Sequence, residues 1–176
     1  MTPDLRIRAA RASDHAALVE QFLGLNRFEE PIAGNRRTDP EGAGESLSAA
    51  LKRVEETGGA ALVAERGGCV VGHLFLCFEE DAAYVRAPLR PYAYVAELFV
   101  RDEARRQGIG QALLREAERL AAARGVPRLM IGVLAGNAGA EALYRRFGFR
   151  AHAIEMAKDV ASGEGSAFPG PLSPGN

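Results

Sequence analysis

Between an apolar strand and the strongest helix of the chain, the backbone must turn through Arg105-Arg106-Gln107-Gly108-Ile109-Gly110. Upstream, Tyr92 to Val100 reads as a strand. Downstream, Ile109, Leu113, Ala117 and Leu120 fall on one side of a helix from Gly108 to Arg124, which Gly125 ends and Pro127 keeps from resuming. Glycines in such a turn let the backbone approach a bulky group and leave amide N–H groups pointing outwards. The helix N-terminus adds its positive end and two arginines add full charges, so the turn suits a phosphate or pyrophosphate. Six arginines stand against two glutamates from Arg105 to Arg128, in a chain whose formal net charge is −1. No Gly-Lys-Ser/Thr follows, and the spacing is not the Gly-x-Gly-x-x-Gly of a dinucleotide fold.

The other elements arrange themselves around this unit. Leu5 to Arg8 alternates with period two and predicts a short strand. Ser13 predicts an N-cap for a helix ending near Gly24. Glu30 to Gly44, with Pro31, Gly34, Pro40, Gly42 and Gly44, predicts a long loop, and Ser46 to Glu56 a second helix with Leu47, Leu51 and Val54 as its apolar stripe. Strands Ala60–Glu65 and Cys69–Phe78 follow, joined by a tight turn at Arg66-Gly67-Gly68. Arg128 to Val133 predicts a buried strand, Ala138 to Phe147 a helix capped by Gly148, and Phe149 to Met156 a final strand. The order is β-α-α-β-β-β-α-β-α-β, an α/β fold with helices covering a mixed sheet. Residues 1–159 form a single domain, and 160–176, rich in Ser, Gly, Pro and Ala, read as a disordered tail.

Composition removes several classes of function. No run approaches eighteen apolar residues, so no transmembrane helix is expected, and Met1 to Arg11 does not read as a secretory signal. Cys69 and Cys77 are too few for a disulfide framework and read as reduced core thiols, which points to a cytoplasmic protein. His15, His73 and His152 are dispersed and show no ligand spacing, so no metal site is expected. His73 reads as a core or sheet-face histidine. Charge balance gives no reason to expect nucleic acid, and stacking aromatics beside the arginines are sparse.

The segment from Tyr94 through Arg105-x-x-Gly108-x-Gly110 to Leu114 resembles the acetyl-CoA-binding signature of the GCN5-related N-acetyltransferases (GNAT), whose pattern is Arg/Gln-x-x-Gly-x-Gly/Ala. Asn137 to Phe149 resembles the second signature of that family. The resemblance covers about Leu5 to Ala157. It implies a sheet whose central strands splay apart around the end of Tyr92–Val100 to form an acyl-CoA cleft. Acetyl-CoA would be the cosubstrate. Its pantetheine would lie against the strand edge at Leu98, Phe99 and Val100, and its pyrophosphate on the amides of Gln107, Gly108, Ile109, Gly110 and Gln111, with Arg105 and Arg106 beside them. Asn137 resembles the asparagine that contacts the cofactor arm and is equally placed as an N-cap.

Acetyl transfer to an amine needs a neutral amine, a close carbonyl carbon, a stabilised oxyanion and a proton for the leaving thiolate. Glu97, a carboxylate inside an apolar strand, is the candidate base. A solvent-facing edge position or a salt bridge is the other reading of it. Tyr144 is the candidate acid, or else a packing residue, and a backbone N–H near Leu98 or Phe99 would serve the oxyanion. The resemblance puts the acceptor near Phe28, Glu29, Glu30, Glu79 and Tyr84, where carboxylates favour a small cationic amine. A protein N-terminus or lysine is the alternative acceptor, and an acyl-CoA-binding regulatory module the alternative role. The sequence leaves a homodimer open and points to no membrane partner.

Overall fold

The computed structural model describes residues 4–158. The expected tail, 160–176, lies outside them. Strands β1 (Leu5–Ala9), β2 (Ala60–Arg66), β3 (Cys69–Glu80), β4 (Pro91–Val100) and β5 (Leu129–Ile131) form one sheet in the order β1-β2-β3-β4-β5. The first four pair antiparallel, and β5 joins β4 in parallel. Four helices cover the sheet: α1 (His15–Ala33), α2 (Pro40–Glu56), α3 (Ile109–Ala123) and α4 (Ala138–Phe147). The mixed α/β fold is the one expected.

Strand alternation divides the core into two layers. Val63 of β2 and Phe75 of β3 pack with Leu18 and Phe22 of α1 and Leu47 of α2. Their neighbours Leu62, Ala64, Leu74 and Leu76 point through the sheet to Ile109, Leu113, Leu114 and Ala117 of α3, with Leu143 and Phe147 of α4 against the same cluster. Adjacent residues thus face opposite helix layers, as a two-sided sheet requires.

Three expectations are corrected. The first helix does not end near Gly24: it runs to Ala33, where Gly34 takes the left-handed cap. Gly24 serves packing, since a Cβ there would lie 3.0 Å from Cζ of Phe99. Pro31 stands within the last turn, where it lacks the N–H that would donate to the Arg27 carbonyl. The expected loop therefore shrinks to 34–39, because α2 begins at Pro40 rather than Ser46. Asp39 caps it by accepting the Gly42 N–H at 2.7 Å, and proline at the first helical position needs no donor.

Third, Phe149 to Met156 forms no strand. Beyond the Phe149 N–H, which donates to Tyr144 O at 3.0 Å, this backbone makes no hydrogen bond among the described residues. Ile154 and Met156 are 87% and 89% exposed. Alternation predicts a strand only where a neighbouring edge supplies partners, and the short β5 supplies none. Lesser shifts sit at element ends. A 3-10 turn, Ala12–Asp14, precedes α1, so Ser13 is not its cap, and β5 is confined to three residues. Of the two thiols expected in the core, Cys77 is buried and Cys69 is exposed, so the expectation is met at Cys77 and not at Cys69.

Candidate active site

The parallel ladder between β4 and β5 is short: Ala93, Tyr94 and Val95 face Leu129, Met130 and Ile131, and there it stops. From Ala96 to Val100, β4 stays bonded to β3 on one side while its other edge has no strand beside it. The two strands splay from this point. The opening is a cleft of about 1390 Å³, with β4 on one wall, Gly132–Leu134 beyond β5 on another, and the start of α3, helix α4 and the end of α1 around them.

A bulge in β4 decides which way Glu97 points. Phe75 pairs with Glu97, but the next residue, Leu76, pairs with Val95, so Ala96 is extra. In a regular strand Val95 and Glu97 would share a face. Val95 packs in the α3 layer, and Leu98 and Val100 do as well. The inserted residue turns Glu97 to the side of α1 and α2, together with its partner Phe75. Without it the carboxylate would enter the apolar α3 layer.

Glu97 is nonetheless largely enclosed. Burial is the main reason its pKa rises to about 7; the charge of Glu29 adds to the rise, while Arg36 and Arg53 oppose it. Tyr144 lines the same cleft, and its phenol is pushed up to about 12, by burial first and then by the charges of Glu29 and Glu97. Its ring packs edge-on to Phe149, centroids 5.9 Å apart. One group therefore exchanges a proton near neutrality and the other keeps its O–H throughout the physiological range.

The glycine turn has the geometry of an anion cradle. Arg106 and Gly108 both take positive φ, 60° and 79°, and the first bond of α3 is Ala112 N–H to Gly108 O at 3.0 Å. The amides from Arg106 to Gln111 consequently donate to nothing among the described residues. Successive free N–H groups at a helix start fit a pyrophosphate, and an unpartnered strand edge fits an amide-bearing arm. Asn137 lines the cleft and also accepts the Ala140 N–H at 3.1 Å, so it is an N-cap of α4.

Of the expected cofactor residues, Leu98, Phe99, Val100, Arg105, Arg106, Gly108, Ile109, Gly110, Gln111 and Asn137 border the cleft. Gln107 does not: its side chain bonds Arg66 and the Glu103 carbonyl. The Arg105 side chain is already engaged, pairing with Asp102 at 2.8 Å and lying over Phe28 at 4.9 Å. Arg145, Arg146 and Arg150 line the cleft too, further cations that the sequence reading did not single out.

The acceptor-side residues divide. Phe28 and Glu29 line the cleft; Glu30, Glu79 and Tyr84 do not. Glu30 accepts the Arg36 backbone N–H at 2.5 Å. Glu79 accepts the Tyr92 hydroxyl at 2.8 Å and Arg53 Nε at 3.0 Å, and Tyr84 is 88% exposed. Two residues of this wall were not picked out as site residues. Tyr94 lies under the guanidinium of Arg53, 5.2 Å from ring centroid to Cζ, and no pattern in the strand sequence distinguishes it. Arg36 sits in the segment Glu30 to Gly44 that read as a long loop; it breaks the acidic character of that region in the sequence, but no pattern assigns it a role. His73 is a core residue: buried, stacked on Phe22 at 4.9 Å, with Nδ1 2.9 Å from Gln21 Oε1 and its pKa pushed down to about 3 by burial.

The fold is shared with several crystal structures. An acetyltransferase from Trypanosoma brucei matches at TM-score 0.67 and 20% identity, over 89% of this chain and 100% of its own. A GCN5-related N-acetyltransferase from Ralstonia eutropha matches at 0.69 and 23%, over 90% and 100%. A transcriptional regulator from Bacillus halodurans matches at 0.69 and 22%, over 89% and 99%. No curated protein matches by sequence. Residues 25–149, from the acceptor-side end of α1 through both walls of the cleft, match the acetyltransferase (GNAT) family, and the chain belongs to that family.

Proposed function

We propose that this protein transfers an acetyl group from acetyl-CoA to the nitrogen of a small primary amine, by direct attack within a ternary complex. One observation carries the reading: the enclosed carboxylate of Glu97 and the phenol of Tyr144 line the same cleft as Arg106 and Gly108–Gln111, whose amides are free among the described residues. Acetyl-CoA supplies an electrophilic thioester carbon and a thiolate leaving group. The protein supplies the proton traffic and the position.

Glu97 takes a proton from the ammonium or the attacking amine, and its near-neutral pKa lets it accept that proton while remaining a useful base. Tyr144 gives its hydroxyl proton to the departing sulfur. A backbone N–H on the open edge of β4, near Leu98 or Phe99, stabilises the oxyanion. The amides at the start of α3 hold the pyrophosphate, and Arg106 adds charge beside them. Asn137 divides its oxygen between capping α4 and the cofactor arm.

The test is release of CoA thiol from acetyl-CoA in the presence of a panel of primary amines, run beside titration calorimetry with CoA. Turnover with saturable CoA binding supports the proposal. Binding without turnover on any amine would leave an acyl-CoA-binding module in its place.

A further inference from the structure

The carboxylates expected to draw in a cationic acceptor are spent inside the protein. Glu79 is held by Arg53 and Tyr92 away from the cleft, and Asp81 is paired with Arg128. Glu30 is occupied by the Arg36 backbone N–H. Glu29 does line the cleft, but its Oε2 accepts Arg36 Nε at 2.7 Å, so it stands there as half of an ion pair. Among the described residues of the cleft, Glu97 and Glu155 carry carboxylates without an ion pair, and Glu155 lies on the segment after α4 rather than on α1 or β4.

The acceptor wall presents a fixed guanidinium. Arg36 is held at three points: its backbone N–H by Glu30, its Nε by Glu29, and its Nη1 by Asn35 Oδ1 at 2.8 Å. Its Nη2 donates to nothing among the described residues, and the residue borders the same cleft as Phe28, Tyr94 and Glu97. Three anchors on one short connection between helices position a donor rather than leave a solvated side chain. A plain alkylammonium ion would leave that Nη2 without an acceptor. An amine bearing its own anionic group would meet Arg36 with that group and Glu97 with its nitrogen. Arg36 and Glu97 are near enough for the one to influence the charge of the other.

We infer that the acceptor is a small amino acid, whose carboxylate is received by Nη2 of Arg36 while its amino group is presented to Glu97. This assignment rests on the acetyl-transfer reading above. The reaction stays balanced: nitrogen forms the new bond to the acetyl carbon, the carbon–sulfur bond breaks, the amine proton passes to Glu97, and the carboxylate is unchanged.

The experiment compares each proteinogenic amino acid with its own carboxamide, following CoA thiol release, and repeats the pair by calorimetry on CoA-saturated protein. A charged hydrogen bond of this kind should favour at least one acid over its amide by about tenfold to a hundredfold in kcat/KM. In Arg36→Gln that preference should fall to about one. Glu29→Gln removes the partner of Arg36 but keeps the guanidinium, and should retain the preference. Acids and amides used equally, or butylamine used while every acid is refused, would overturn the assignment and leave acetyl transfer standing. No turnover with any amine would strike the transfer reading itself and this inference with it.

Discussion

Phe75 and Glu97 face each other across the β3–β4 ladder, one step from the bulge that Ala96 makes in the register. Phe75 is fully buried in the α1–α2 layer. The Glu97 carboxyl therefore stands opposite an apolar ring, and its proton affinity comes chiefly from its enclosure.

Replacing Glu97 with Gln should lower kcat by about a hundredfold or more, the usual range for a general base. In the wild type kcat/KM should rise with pH through about 7 as Glu97 ionises; in Glu97→Gln that limb should vanish, leaving only the titration of the amine. Stability moves the other way. A carboxyl whose folded pKa lies above its ordinary value costs nothing at pH 4; the cost builds from about pH 4.5 to about 7 and is complete above that. Glu97→Gln should thus melt higher than wild type at pH 8, by about 2 kcal/mol allowing for partial solvent contact, and equal it at pH 4. Differential scanning calorimetry at the two pH values reads this.

Tyr144→Phe keeps the ring against Phe149 and removes only the hydroxyl. It should reduce kcat by about ten- to a hundredfold with KM for acetyl-CoA changed less than about twofold. Because the phenol is pushed up to about 12, the wild-type rate should not decline as pH climbs from 8 to 10. Steady-state kinetics over that interval separates a donor from a packing residue: unchanged rates in the variant assign Tyr144 to packing.

Two glycines in the turn should fail for different reasons. Gly108 has φ 79° with open space where a Cβ would go, so Gly108→Ala suffers backbone strain of about 1 kcal/mol and weakens CoA binding through the tilted amides. Gly110 has its would-be Cβ 3.1 Å from Cδ2 of Leu143, so Gly110→Ala should disturb the contact between α3 and α4. Adding Leu143→Ala should restore CoA affinity to the Gly110 variant and do nothing for the Gly108 variant. Calorimetric titration with CoA distinguishes the pair.

Far from the cleft, Arg8 bonds Asp14 at 2.7 Å and Glu65 at 2.6 Å, with the first two side chains 9% and 7% exposed. The guanidinium holds the Asp14 carboxyl below its ordinary range against the opposing effect of burial, and the Arg11 N–H helps. Its stabilisation is complete above the ordinary carboxylate range and lost as pH falls through the folded value. Asp14→Asn should cost about 2–4 kcal/mol at pH 7, and the difference from wild type should begin to shrink only as pH falls below the ordinary carboxylate range, as chemical denaturation at a series of acidic pH values would record.

Much of this was legible in the residues alone. The glycine turn could be read because positive φ, a helix start and a run of arginines all depend on local chemistry. Glu97 could be singled out because a carboxylate in Val95-Ala96-Glu97-Leu98 is conspicuous in any strand. Its direction could not, since one inserted residue in β4 is defined only against β3. The extent of α1 was hidden because Gly24, a stop signal by rule, is there to admit the ring of Phe99 from another element. Asp39-Pro40 was a missed local signal, an N-cap with a first-turn proline read as loop. Arg36 was invisible for a deeper reason: its role depends on three partners and a cleft wall that only the folded chain assembles.

The open edge of β4 beyond Val95 is made of main chain, the one part of a protein whose chemistry a point mutation leaves intact, proline aside. Exchanging Ala96 or Leu98 changes what hangs from the strand and not the amides and carbonyls along it. A recognition surface of this kind can survive extensive divergence, in keeping with a fold shared at 20–23% identity. The facing wall has no such protection: Phe28, Glu29 and Arg36 act through side chains, and each can be rewritten singly. One side of the cleft is inherited with the backbone, and the other can change its chemistry residue by residue without rebuilding the first.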